Sequence, residues 1–402
     1  MVKNKKPYHE KMLFMVLLFM MSGMAFFSSD IYIAAFPAMG HDLAASPDLI
    51  KGTVSMFFIG LGGSQLFYGP ISDYVGRKKI AVFGLVVFIV GCALCALSKD
   101  YSIFLFGRLI QGIGSGATTC LSRAIMRDSY TGARLVKIIS YVGMGVALIP
   151  AIAPLIGGYI QYGLGWKFEF AFLILYALIL LILLSVIVPE TNAYVRQHKK
   201  SVLHIVRDYK NTLMDFVFLM HVLTASFFVS MIYVFYTVTS YYFQSDLHWT
   251  ELEYSRISIA IAIAMFLGRK LNTFLSSKFS RGQVILIGTG LGLISGLCML
   301  VLSSILINPF ITIILPISLY GVAAGVVFPN TFVGATEQYK KTIGLVSSLY
   351  GFTQMTTAFL LISLSSLLGV ASIVGVGVMI ICLAGFSLCG MLYLKEGDKN
   401  DA

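Results

Sequence analysis

The chain has 402 residues, 58% hydrophobic and 12% charged, with a mean hydropathy of +0.87. A soluble domain carries about 25% charged residues, so these values exclude a soluble globular protein and point to one solvated mainly by lipid. The formal net charge of +11 would suggest nucleic acid in a soluble chain, but here the position of the charges matters more than their sum, and no nucleic-acid partner is expected.

About 20 apolar residues suffice for one helical crossing. Twelve such runs follow in chain order: 12–36, 52–70, 80–98, 102–122, 138–160, 170–188, 214–238, 255–274, 284–306, 310–333, 343–365 and 371–393. Lys3, Lys5, Lys6 and Lys11 before the first run give it the look of a signal peptide. The run continues well past an h-region and no clear small-x-small site ends it, so it reads as an uncleaved first span. The connections leave no room for a soluble domain. The longest break, 189–212, divides the chain into a six-span bundle over 1–188, a cytoplasmic linker, and a second six-span bundle over 213–402.

Charge sets the orientation. All of the 29 Lys and Arg fall on the side of the N-terminus except Lys51, Lys99, Lys167 and Arg256 on the other side and Arg108 within the fourth span. The positive-inside rule therefore places both termini in the cytoplasm. The second half repeats the topology of the first, as in transporters built from two parallel bundles around a midplane cavity. Gly112 and Gly116, and Gly321 and Gly325, have the G-x-x-x-G spacing of closely packed helices. Trp166, Tyr241, Tyr242 and Trp249 fall at predicted outer boundaries and read as interfacial anchors. The six cysteines lie in apolar runs, and the C-x-x-C pair Cys92 and Cys95 has no His or further Cys nearby. They read as small packing residues rather than metal or disulfide chemistry.

Two lone charges stand inside the first six runs. Asp30 sits in "FFSSDIYIAAFP", residues 26–37, and Arg108 in the fourth span. A charge at the centre of a span costs about 2.5–3.5 kcal/mol on insertion scales and marks a functional site by default. Counting from Asp42 and Asp100 at 1.5 Å per residue, each lies about 10–15 Å below the same surface. Asp30 reads as a proton-carrying, substrate-sensing acid for which a cationic substrate and a proton could compete, with Arg108 as its electrostatic modulator. The alternatives are a static Asp30–Arg108 ion pair fastening two helices, or an Asp30 that stands just in the outer interface.

Tyr32, Gln111, His221, Tyr233, Tyr236 and Asn330 are candidates to line a substrate cavity, with Phe228 and Gln354 beside them. Aromatic residues at helical spacing are more often packing, and His221, about two turns into the seventh span, titrates near neutral pH if free to do so. No Gly-rich phosphate loop with Lys-Ser/Thr is present, so ATP is not the energy source within this chain. The scarcity of deep charges argues against a membrane enzyme, and no metal or cofactor is expected.

The most particular string is "GPISDYVGRKK", 69–79, between the second and third spans. Its G-x-x-x-D-x-x-G-R-K spacing resembles the loop signature of the major facilitator superfamily. "FGRLIQGIGSGA", 106–117, is similar to that superfamily's fourth-span motif, with Arg108, Gln111, Gly112 and Gly116 on the pattern. "ALIPAIAPLIGGYI", 147–160, resembles the fifth-span antiporter motif through Pro154, Gly157 and Gly158, with Ala153 where Gly is usual. With "SSDIYIAAFPAM" (28–39), "RAIMRDSY" (123–130) and "VPET" (188–191), the chain resembles the bicyclomycin-resistance/chloramphenicol-efflux (Bcr/CflA) branch of twelve-span drug:proton antiporters. The likeness covers 10–395, with its diagnostic strings crowded into the first half.

The resemblance implies an all-α integral membrane protein with twelve transmembrane helices in two pseudo-symmetric six-helix bundles. It implies a monomeric, proton-driven exporter of drugs or drug-like molecules in the bacterial inner membrane, working by alternating access, with small-molecule substrate, protons and membrane lipid as its partners. Spans 1, 4, 7 and 10 would line the cavity. Gly69, Asp73, Gly76, Arg77, Lys78 and Asp128 would form a cytoplasmic gate, with Asp73 near the start of span 11 and Arg77 paired to Asp128. Some drug exporters carry a second acid about two turns before the position of Asp30; Ser22 stands in that region here, which implies a proton stoichiometry nearer one. Two other cargoes fit the same carrier: an endogenous metabolite such as a siderophore or amino-acid derivative for export, or a nutrient taken up by symport, against which Pro154, Gly157 and Gly158 argue modestly.

Overall fold

The structure, a computed structural model, describes residues 12–130, 138, 141–143, 145–146, 148–192, 202–305, 308–339, 343–368, 370 and 372–400. Its long helices are α1 (Met12–Asp30), α2 (Pro47–Val75), α3 (Arg77–Leu97), α4 (Tyr101–Ser129), α5 (Ile149–Leu164), α6 (Lys167–Ile187), α7 (Phe216–Tyr241), α8 (Ile257–Ser276), α9 (Arg281–Ile305), α10 (Pro309–Thr336), α11 (Ile343–Leu367) and α12 (Ile373–Asn400). Among the described residues, nine helical stretches are long and apolar enough to cross a membrane by length and composition. The stretches outside that set are α2, α4 and α5. Helix α4 carries Arg108 and a run of Gly, Ser and Thr because protein rather than lipid surrounds it: α1, α2 and α3 all pack on it.

Small residues set the spacing. A Cβ on Gly112 would stand 2.2 Å from the Phe57 carbonyl oxygen, and one on Gly116 2.0 Å from Ser64 Oγ, so both glycines hold α4 against α2. Gly325 does the same for α10 against α8, where a Cβ would meet the Met265 carbonyl oxygen at 2.4 Å. Without a hydrophobic driving force between helices in lipid, such close backbone approach supplies the packing energy. Helices α1–α6 pack mainly on one another, as do α7–α12, and the two bundles meet along the pairs α2–α11 and α5–α8.

The first apolar run does not form one helix. Helix α1 ends at Asp30, a 3-10 turn follows over Ile33–Ala35, and a second helix runs Phe36–Asp42. Pro37 enforces the break: it has no N–H, its ring would clash with the carbonyl four residues back, and it fits the first turn of the new helix. The linker read as a polar connection carries a helix, Val202–Leu213, while residues 193–201 lie outside the described part. Trp166 is not an interfacial anchor. It is 2% exposed, packs edge-on against Phe104 and Phe170, and donates its indole N–H to Asp42 Oδ2 at 2.9 Å.

Candidate proton-coupling site and gate

The break in α1 leaves carbonyl oxygens without intrahelical partners, and the rest of the protein supplies the donors. Arg108 Nη1 of α4 donates to the Ser28 carbonyl at 3.4 Å, a cation at a helix C-terminus. From α7, in the other bundle, Ser240 Oγ donates to the Ile33 carbonyl at 2.9 Å and the Tyr241 hydroxyl to the Phe36 carbonyl at 3.2 Å. The broken segment is thus held from both bundles. Gly157 brings α5 onto the same break, where its Cα faces the Ile31 carbonyl so closely that a Cβ would lie 1.6 Å from the oxygen.

Asp30 is 2% exposed and is the last residue of α1. Ser29 Oγ donates to its Oδ1 at 2.7 Å and lies 3.1 Å from the Tyr233 hydroxyl of α7. Arg108 is fully buried, its guanidinium sandwiched between the Tyr32 ring at 4.3 Å and the Phe57 ring at 4.4 Å. Each such contact is worth about 2 kcal/mol when desolvated. Gln111 Oε1 accepts from Arg108 Nη1, and the Gln111 amide in turn donates to Cys92 Sγ at 3.0 Å, while Arg108 Nε and Nη2 have no partner. Asp30 and Arg108 therefore sit at the same break without forming an ion pair, which the static-pair alternative required. Among the described residues, ion pairs fall at helix ends and junctions instead. Tyr236 is buried nearby on α7 with its hydroxyl unpartnered.

A cavity of about 220 Å³ lies between the bundles, on the side of the break nearer the 69–79 loop. Ser22, Phe26 and Ser29 of α1, Phe58 and Gln65 of α2, Thr119, Ser122 and Arg123 of α4, and Gly351, Gln354 and Met355 of α11 line it. Of the residues singled out as cavity lining from the sequence, Gln354 is on this wall, whereas Tyr32, Gln111, His221, Tyr233, Tyr236 and Asn330 are not. Tyr32 and Gln111 serve Arg108, and Tyr233 serves Ser29. His221 Nδ1 lies 2.7 Å from the Val217 carbonyl, and Asn330 donates to Asn272 Oδ1 at 2.6 Å. The sequence marked residues that were polar inside a span; in the structure most of them satisfy other polar groups. Contacts between the bundles flank the cavity on both sides. On the 69–79 side, Arg123 Nη1 donates to the Ser347 carbonyl at 3.3 Å, and Tyr209 of the linker helix to the Leu66 carbonyl at 3.4 Å. On the far side, beyond the α1–α7 bonds, Gly158 faces Ser255, which a Cβ would approach to 2.8 Å.

In the 69–79 loop, Gly76 ends α2 at φ +108°, a conformation L side chains rarely adopt. Arg77 then binds along three directions: Asp73 one turn back, Asp128 Oδ2 at 3.2 Å from the end of α4, and Ser72 Oγ at 2.5 Å. Asp73 meets Arg77 within its own junction; the expected neighbour, the first side chains of α11 with residues 340–342 before them, lies outside the described part. Asp73 near the end of α2 and Arg77 at the start of α3 belong to different helices, and the turn at Gly76 brings them together. Lys78 donates to the Ser185 carbonyl at 2.7 Å, and Gly69 faces Ser348 of α11.

Sequence reasoning missed two features of these junctions. Glu190 accepts from the backbone N–H groups of Arg77 at 2.8 Å and Lys78 at 3.3 Å, capping the N-terminus of α3 from the end of α6. A carboxylate there satisfies orphan donors and opposes the helix dipole. The string "VPET" was visible, but nothing in it names α3 as its partner. In the second bundle, Arg281 at the start of α9 pairs with Glu337 just after α10, matching Arg77 at the start of α3 and Asp128 at the end of α4. The internal repeat was the signal that could have found it.

Two six-helix bundles around a cavity, with inter-bundle contacts on either side, define a multi-pass membrane transporter. The chain belongs to the Major Facilitator Superfamily, which it matches over residues 18–362. It is 27% identical over 349 residues to an uncharacterised MFS-type transporter, YdgK, of Bacillus subtilis (strain 168), covering 85% of each chain. It is 27% identical over 342 residues to the multidrug resistance protein MdtL of Citrobacter koseri, again covering 85% of each. Among solved structures, a D-xylose–proton symporter superposes with a TM-score of 0.74 at 18% identity, over 94% of this chain and 97% of that one. At that identity the likeness speaks for the fold alone.

Proposed function

We propose that this transporter is a proton-coupled exporter of drugs or drug-like small organic molecules, of the bicyclomycin-resistance/chloramphenicol-efflux branch. It sits as a monomer in the bacterial inner membrane with both termini cytoplasmic, and its bundles span 1–188 and 213–402 about the linker 189–212. The observation that carries the reading is Asp30: a carboxylate 2% exposed, without a cation partner, at a helix break whose carbonyls are bonded from the other bundle. When the bundles rock, the Ser29–Tyr233 and Ser240–Ile33 contacts separate and water reaches Asp30, so its protonation changes with the side to which the cavity opens. Arg108, fixed by aromatic rings and a backbone carbonyl, biases that exchange without quenching the acid. The Asp73–Arg77–Asp128 cluster, capped by Glu190, makes the 69–79 junction a rigid piece that moves as a unit. The relatives named for multidrug resistance support drug-like cargo.

Everted membrane vesicles carrying an acid-inside gradient test this. Addition of a cargo drawn from a drug panel should collapse the gradient in vesicles containing the protein and not in empty ones. Silence across the panel, with the protein folded and inserted, overturns drug export. The neutral polar side chains of the wall, Ser22, Gln65, Ser122 and Gln354, favour, as a second reading, export of an endogenous metabolite such as a siderophore or amino-acid derivative. Loss of a secreted compound from a deletion strain would identify that cargo.

A further inference from the structure

The cavity wall carries one charge, and it is positive. Among its lining residues Arg123 is the sole ionisable side chain, and its described hydrogen bond goes to a neutral acceptor, the Ser347 carbonyl. No carboxylate pairs with it among the described residues. A guanidinium has five N–H donors in a planar fork that matches an oxyanion in two parallel bonds. Held in a low-dielectric cleft beside neutral groups, such a charge is costly until an anion arrives. Ser22 Oγ and Gln65 Oε1 line the same space, buried and without partners. The remaining wall is apolar, with the rings of Phe26 and Phe58.

We infer that the cargo is a small aromatic organic anion, its acidic group bound by Arg123, its ring against Phe26 and Phe58, and an N–H or O–H donor directed to Gln65. This rests on the reading that the cavity between the bundles is the cargo site, and it replaces the sequence expectation of a cationic substrate competing for Asp30. Arg123 follows Arg108 by fifteen residues on α4, about 22 Å along the helix. Cargo charge and the Asp30 proton are therefore held by different residues, linked through Ser29, which lines the cavity and donates to Asp30. A cavity of about 220 Å³ admits roughly one or two fused rings, below the usual drug-sized pocket.

The test is equilibrium binding to the purified full-length protein with three probes of one ring system: 2-naphthalenesulfonate, 2-naphthalenesulfonamide and 2-naphthyltrimethylammonium. The wild type should bind the sulfonate at least tenfold tighter than the ammonium. Arg123→Gln should lose that factor for the sulfonate and leave the sulfonamide affinity unchanged. Arg123→Lys, which keeps the charge, should retain the preference and shows that a substituted cavity still folds. Equal or reversed preference in the wild type, or undiminished sulfonate binding by folded Arg123→Gln, overturns the inference. No gradient is involved, so anion-selective binding without gradient-driven transport would uphold this inference while sinking proton-coupled export.

Discussion

Gly157→Ala is the sharpest structural test because its neighbour is backbone. The added Cβ would lie 1.6 Å from the Ile31 carbonyl oxygen and 2.7 Å from its carbon. Neither atom can swing aside, so α5 must retreat from the α1 break by about 1.5 Å to restore van der Waals contact, forfeiting much of the dispersion across that interface. Overpacking of this kind costs about 1–3 kcal/mol when side chains can adjust, and here the upper end is expected. Gly163 lies on the same helix with nothing within 4 Å of an added Cβ. There, replacing a helical glycine by alanine should stabilise by about 0.5–1 kcal/mol. The two variants should therefore differ by about 4 kcal/mol in denaturant unfolding of the detergent-solubilised protein. Gly157→Ala should also impair transport, since it displaces the segment carrying Asp30. Equal stability of the two variants would refute the claim that Gly157 seats α5 on the break.

Two further outcomes follow from burial. Asp128 is 24% exposed where it meets Arg77 and also accepts from Thr191, whereas Asp73 is 58% exposed; Asp128→Asn should therefore reduce transport more than Asp73→Asn, with membrane insertion of both intact. The reverse order in a transport assay would contradict the proposed gate. Glu169 is fully buried with neither carboxylate oxygen bonded, a state that costs at least about 1–3 kcal/mol. Glu169→Met should raise thermal stability and leave transport unchanged; a loss of transport would place Glu169 in the proton route.

The span pattern and the unusual depth of Asp30 and Arg108 were legible because lipid imposes a length and penalises charge. The helix packing was legible in part through Gly112, Gly116 and Gly325, whose spacing survives in the folded contacts. What the sequence could not disclose was pairing across long separations. The aromatic sandwich around Arg108 joins Tyr32 and Phe57, and Glu190 caps a helix more than a hundred residues before it; no local spacing encodes either. Pro37 did announce a helix end, yet the fate of the freed carbonyls depended on Ser240 and Tyr241, two hundred residues away. Cavity lining was the least legible feature. A polar residue in a span is needed equally to face a cargo or to satisfy a buried neighbour, and Tyr233, Gln111 and Asn330 do the latter.

Asp30 is the carboxylate proposed to carry the coupling proton. The most direct test of that role compares two modes of transport in proteoliposomes containing wild type or Asp30→Asn. One mode is gradient-driven accumulation of cargo, and the other is cargo–cargo exchange at equal pH on both sides. Asp30→Asn should lose the driven mode and keep the exchange, because a permanently neutral side chain still permits the loaded carrier to turn over. Undiminished driven accumulation by Asp30→Asn, or equal loss of both modes in a folded protein, would contradict that role.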